Sequence, residues 1–274
     1  MAAVLCTVAV LPAIPASASR LPSVVDHLQS AGFHCEQRRS GVECVGRTDA
    51  YPEPVAVLIP TGFRYDGRVL VHLHGYVLGT EHDSSFAAIL RDFEFLDRLS
   101  EAGVRNSLFV LPSSRGYCES YKDYFGKRDS FELWLDSILR ASGLARPKRI
   151  VLSGHSGAYQ PIEMILAQAT QGLASRIRDL ILLDATYSDL QVDRYLGWLR
   201  ASRTHRLWDA FRPDTGTEKG SRALWSKLSS QPFSLEHANI WASGRGEILP
   251  GSNQGDAADH WGMVRVYYPD FLRK

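Results

Sequence analysis

The stretch Arg149-Ile150-Val151-Leu152-Ser153-Gly154-His155-Ser156-Gly157-Ala158 decides the architecture of this chain. An apolar, β-branched run feeds into Gly-His-Ser-Gly-Ala, and a helical pattern from Pro161 to Ala169 follows. Strand, sharp turn and helix place Ser156 on a tight corner with its hydroxyl lifted off the end of the strand. Gly154 and Ala158, two positions either side, are small enough to let strand and helix pass closely. The reference pattern is G-x-S-x-G, and Ala158 replaces its last glycine. A bare match of this kind arises by chance about once in three or four proteins, and its plain reading is a turn serine. The flanking strand and helix make Ser156 a candidate nucleophile.

A serine hydroxyl needs an imidazole to take its proton and a carboxylate to orient that imidazole. Of the histidines after the serine, His205 opens an apolar run and His237 precedes another, as packing or solvent-facing residues do. His260 lies in Gly255-Asp256-Ala257-Ala258-Asp259-His260-Trp261-Gly262, a polar segment before the last helical pattern, where an imidazole can hang over the serine or merely cap the helix. Two acids compete. Asp184 ends the buried run Leu180 to Leu183, and Asp214 follows the next strand. A charge ending so apolar a strand needs a partner, which favours Asp184; the alternative is a turn carboxylate bound by backbone N–H groups. Donors for an oxyanion are expected from the N–H groups of Gly157 and of Tyr76 or Gly75, the latter two closing the strand Val69 to His74. His74, Arg115 and Tyr187 are candidate substrate contacts at the same sheet end, Arg115 for a carboxylate. His72-Leu73-His74 has a metal-ligand spacing with both rings expected on one strand face, but no cluster elsewhere completes a site, so neither metal nor cofactor is expected.

The 274 residues are 45 % apolar and 22 % charged with a net charge of +1, which suits one well-filled α/β core and gives no basic footprint for nucleic acid. Met1 to Ala18 carries no charged side chain and ends Ala16-Ser17-Ala18, which reads as a secretory signal peptide cleaved after Ala18, although it lacks a basic n-region. It is too short and too interrupted by Pro12 and Pro15 to span a bilayer. A secreted or periplasmic protein follows, with no stable membrane insertion. Cys35 and Cys44 flank a Ser-Gly turn and are expected to form a disulfide; Cys118 is left as a half-exposed thiol.

Apolar strands alternate with amphipathic helices from Pro54 to Arg273. They include a single helix over Ser85 to Glu101, and Ser188 to Arg203 as a small cap over the site. The fold class is α/β: a mostly parallel sheet flanked by helices on both faces, residues 19–274 forming one domain, with residues 19–50 as a helix-hairpin extension.

With these residues assembled, the chain resembles the α/β-hydrolase superfamily from about Val55 onward, on His74-Gly75, Gly154 to Ala158, Leu183-Asp184 and His260. Leu182 to Tyr187 is also similar to the Leu-Leu-Asp-Ala-x-Tyr strand end of little-characterised bacterial hydrolases. The departures are Ala158 and an acid one strand earlier than in many such hydrolases, a placement that some lipases share. The resemblance implies a serine hydrolase that cleaves a carboxylic ester through an acyl-enzyme, acting on a small-molecule or cell-envelope substrate. The alternatives are an envelope peptidase, amidase or acyltransferase with the same triad, and a catalytically silent fold used as a binding module.

Overall fold

The computed structural model describes residues 21–76, 86–213, 215–230, 238–242, 260 and 262–273. The expected signal peptide, Asp214 and His237 lie outside the described residues. From the N-terminal side, helix α1 (Leu21–Ser30) is followed by strands β1 (His34–Arg38), β2 (Gly41–Thr48), β3 (Tyr51–Pro60) and β4 (Arg68–Leu73). Helices α2 (Phe86–Phe93) and α3 (Phe95–Glu101) lead to β5 (Ser107–Pro112), then α4 (Glu119–Phe125), α5 (Ser130–Ala141) and β6 (Arg149–His155). One 3-10 turn (Ser156–Ala158) runs into α6 (Tyr159–Gln168), followed by α7 (Gln171–Arg176), β7 (Ile177–Leu183), α8 (Asp189–Arg200), β8 (Arg206–Phe211), α9 (Gly216–Ser229), β9 (Ala238–Ala242) and α10 (Gly262–Arg273).

The nine strands form one sheet in the order β1-β2-β3-β5-β4-β6-β7-β8-β9. From β5 to β9 all pairings are parallel, and β1, β2 and β3 add an antiparallel edge. The expected mostly parallel sheet is therefore present. The N-terminal hairpin is a working part of it: β2 pairs with β3 from Gly41↔Pro60 to Thr48↔Tyr51, so it extends the sheet instead of standing apart as an appendage. Cys35 and Cys44 are direct cross-strand partners and are joined by a disulfide.

Period-two alternation sends one set of strand side chains to each face. Val69, Val71, Ile150 and Leu152 pack under helices α1 and α4 to α9, while Leu70, Val151 and Ile181 pack under α2, α3 and α10. The expected helix over Ser85 to Glu101 is interrupted: Glu94 sits at φ 50°, a left-handed corner that separates α2 from α3 and lets Phe93 and Phe95 both face the core. The expected cap is also an ordinary crossover helix. In α8, Val192, Tyr195, Leu196, Trp198 and Leu199 are buried in the sheet-facing core, so the helix covers the sheet and not the site.

The chain leaves β4 for β5 on one side and then crosses to β6 on the other. This reversal opens a crevice at the carboxyl ends of β4 and β6, the place where open parallel sheets bind ligands.

Candidate active site

Ser156 sits in that crevice at φ 55°, in the left-handed region that an L-residue enters at a cost of about 1 to 2 kcal/mol. The strained corner aims the side chain away from β6, and its neighbours are shaped to permit it. A Cβ on Gly154 would lie 2.6 Å from Ile162 Cδ1 and 2.9 Å from the Ala158 Cβ, so both small residues are needed where strand meets helix. A Cβ on Gly75 would lie 2.6 Å from the Ser156 Cβ, which brings the end of β4 directly against the serine.

Two other segments bring the remaining groups. Asp184 follows β7 and also adopts a left-handed corner, at φ 49°, with its N–H donating to the Ala210 carbonyl at 2.7 Å. Its carboxylate is 1 % exposed. His260, in the residues before α10, donates its Nδ1–H to Asp184 Oδ2 at 2.6 Å. Asp184 further accepts from Arg212 Nε at 2.9 Å, from the Arg212 N–H at 3.3 Å and from the Thr217 hydroxyl. Burial alone would raise its pKa, but the bonds from His260, Thr217 and Arg212 outweigh burial and hold the carboxyl below the usual carboxylate range. Asp184 is thus a charged carboxylate with every oxygen engaged.

The elbow histidine has a definite position. His155 is buried, donates Nε2–H to the carbonyl of His260 at 2.8 Å, and lies ring to ring with it at 4.2 Å. Burial, and next the neighbouring His260, push its pKa well below the ordinary imidazole value, so a neutral ring supports the His260 backbone. Arg212, Thr217 and this contact escaped sequence reading because they depend on through-space proximity. Arg212, a cation at the end of the apolar β8, was the one available clue.

The end of β4 shows how backbone donors are set. His74 donates Nδ1–H to the Gly75 carbonyl at 2.7 Å, and its Nε2 accepts the Ser114 N–H at 2.8 Å. In the trans peptide that follows, the Tyr76 N–H points opposite to that carbonyl, away from the His74 ring. The Gly157 N–H opens the 3-10 turn ahead of α6, where helical N–H groups lack internal partners. His74 itself is 1 % exposed with both nitrogens engaged, so the substrate contact expected of it is closed off.

His72 and His74 do not share a face either. His72 packs with Phe93, Phe95 and Tyr268 on one side of the sheet, and His74 with Tyr121 on the other. Regular β geometry stops at Leu73, which breaks the alternation expected between them. Among the described residues no three His, Cys, Asp or Glu side chains converge on a metal position. Arg115 is exposed and ion-paired to Glu53 at 2.8 Å. Cys118 is 1 % exposed, not half-exposed, and burial pushes its thiol up to about 12. Tyr187 lies in the site, its phenol beside the Ser156 side chain.

The same arrangement of sheet and helices recurs in solved structures. A feruloyl esterase module from Clostridium thermocellum matches with a TM-score of 0.53 at 14 % identity, over 88 % of this chain and 92 % of that one. The chain has the α/β-hydrolase fold. A predicted CIB-like hydrolase from Thermoplasma acidophilum shares this α/β-hydrolase fold with a TM-score of 0.51 at 15 % identity, covering 88 % of this chain and 99 % of that one. An S-formylglutathione hydrolase from Agrobacterium tumefaciens does so at 0.50 and 15 %, covering 88 % and 96 %. No protein-family model matches the sequence, and no curated protein is similar to it. The likeness is therefore one of α/β-hydrolase architecture, carried by structures of esterases and hydrolases.

Proposed function

We propose that the chain is an exported serine hydrolase that cleaves a carboxylic ester through an acyl-enzyme. The observation that carries this reading is the His260–Asp184 pair, its acid at the end of the strand next to the one that carries a left-handed Ser156. Asp184 occupies Nδ1 of His260, so Nε2 is the nitrogen that takes the serine proton. Ser156 Oγ attacks the carbonyl carbon, and His260 becomes an imidazolium stabilised by Asp184. The tetrahedral oxyanion is held by the N–H groups of Gly157 and Tyr76, with Gly75 shaping the approach. His260 then returns the proton to the leaving alcohol, and the same groups activate the water that releases the acid. No cofactor enters the cycle. The Cys35–Cys44 disulfide supports export, since such bonds persist in oxidising compartments; cleavage after Ala18 would give a mature chain beginning at Ser19.

The test is labelling of the mature protein with a fluorophosphonate. Wild type labels, and Ser156→Ala and His260→Ala abolish it. Asp184→Asn slows labelling by about 10³-fold or more, as removal of a triad acid does elsewhere, while Asp214→Asn leaves it near wild type. An unlabelled, folded wild type would overturn the reading in favour of a fold retained for binding.

A further inference from the structure

Four tyrosines from four separate segments converge around Ser156: Tyr76 after β4, Tyr117 before α4, Tyr159 at the start of α6 and Tyr187 after β7. They form two contacting pairs. Tyr76 and Tyr117 meet edge to face with centroids 4.8 Å apart, and Tyr159 and Tyr187 meet at 5.1 Å. Gln160 ties the pairs together, donating from Nε2 to the Tyr76 hydroxyl at 2.9 Å and the Tyr159 hydroxyl at 3.1 Å. Both pairs touch the reacting centre. A Cβ on Gly157 would lie 2.1 Å from Tyr76 Cε1, so that ring rests directly on the glycine after the serine, and Tyr187 lies beside the serine side chain.

Two members are unusually open. Tyr117 is 51 % exposed and Tyr187 is 38 % exposed, and among the described residues the other large exposed apolar side chains are Leu133 and Leu190. Leu190 lies three residues after Tyr187, in the first turn of α8. An exposed apolar cluster beside a reactive group marks a binding surface.

Resting on the serine-hydrolase reading, we propose that this tyrosine ring is the specificity site, and that it selects neutral esters carrying an aromatic ring within a few bonds of the scissile carbonyl. The chemistry on offer is π-face and π-edge. The Tyr76 and Tyr159 hydroxyls are committed to Gln160, so what these two rings present outward is mainly carbon. Among the described residues, the arginines nearby are already engaged: Arg115 with Glu53, and Arg212 with Asp184. A sugar or carboxylate ligand would want such groups free, whereas an aromatic ring gains from offset and edge contacts alone.

The experiment compares two matched ester pairs. Methyl 3-phenylpropanoate against methyl 3-cyclohexylpropanoate varies the acyl side, and benzyl acetate against cyclohexylmethyl acetate varies the alcohol side. Intrinsic reactivity within each pair is similar, so the ratio of kcat/KM reads recognition. The aromatic member is favoured by about tenfold or more in at least one pair, which is what one or two aromatic contacts supply. Tyr117→Leu and Tyr159→Leu each pull that ratio toward one, and Leu133→Ala leaves it unchanged. Because a ratio is read, a general loss of activity in a variant cancels. Ratios near one in both pairs, or ratios unmoved by both tyrosine variants, overturn the aromatic specificity while leaving the serine chemistry intact. A wild type that the fluorophosphonate does not label fails earlier, at the proposed function, and removes this inference with it.

Discussion

Arg212 holds the proposed acid from two directions, through its backbone N–H and through Nε, and it is the cation nearest a carboxylate that is otherwise sealed from water. Replacing it with leucine removes the guanidinium bond and leaves Asp184 with His260, Thr217 and one N–H. A charge-assisted bond of this kind is worth about 1.5 to 3 kcal/mol, so Arg212→Leu should slow fluorophosphonate labelling by about 10- to 100-fold in a protein that still folds. Labelling at the wild-type rate would mean that Asp184 is positioned without it. The elbow at Gly154 to Ala158 was legible in the sequence because its requirements are local: small residues at fixed offsets around one serine. His260 and Asp184 were legible because chain order and strand ends constrain them. Arg212, Thr217, Tyr159 and the meeting of the tyrosines were not, since nothing in linear spacing tells that β8, α6 and the turn before α4 converge on one point.

At the level of single elements, the β1–β2 hairpin is the clearest case of a structure more integrated than its sequence suggested. Its strands read correctly, but hydrophobic pattern alone does not say which edge a hairpin joins, and here it completes the antiparallel side of the sheet. The Cys35–Cys44 bond closes a short loop within that edge. Removing it, as Cys35→Ser with Cys44→Ser, should cost about 2 to 3 kcal/mol on the loop-entropy estimate and lower the thermal midpoint by several degrees. A midpoint equal in reduced and oxidised protein would place the edge's stability wholly in its packing. The break at Glu94 was illegible for the opposite reason. The apolar spacing runs on through it from Phe86 to Leu99, and the left-handed corner is made by a glutamate, with no glycine to announce it.

At the scale of the whole molecule, burial holds three imidazoles neutral among the described residues. Burial lowers His72 to about 3, His74 to about 4 and His155 well below its ordinary value. In the unfolded chain each takes a proton near pH 6.5, so the unfolded state binds more protons and stability is lost as pH falls below that value. Asp209 works against this trend. Burial pushes it up to about 7, so its contribution is present at low pH and lost as pH rises toward that value. Three groups against one leave a net loss on acidification, each uncompensated proton being worth about 1.4 kcal/mol per pH unit. The urea midpoint should therefore fall between pH 7 and pH 5, and Asp209→Asn should steepen the fall; a flat profile would contradict the buried neutral state of these rings. The overall α/β layering was readable because it follows from strand and helix periodicity summed over the chain. The face reversal between His72 and His74 was not, because it depends on where one strand stops. Finally, Ser156 and Asp184 both stand in left-handed corners. Glycine would relax either corner by about 1 kcal/mol or more. A serine and an aspartate there hold the fold at a standing thermodynamic disadvantage relative to glycine, in exchange for the two side chains that the proposed chemistry uses.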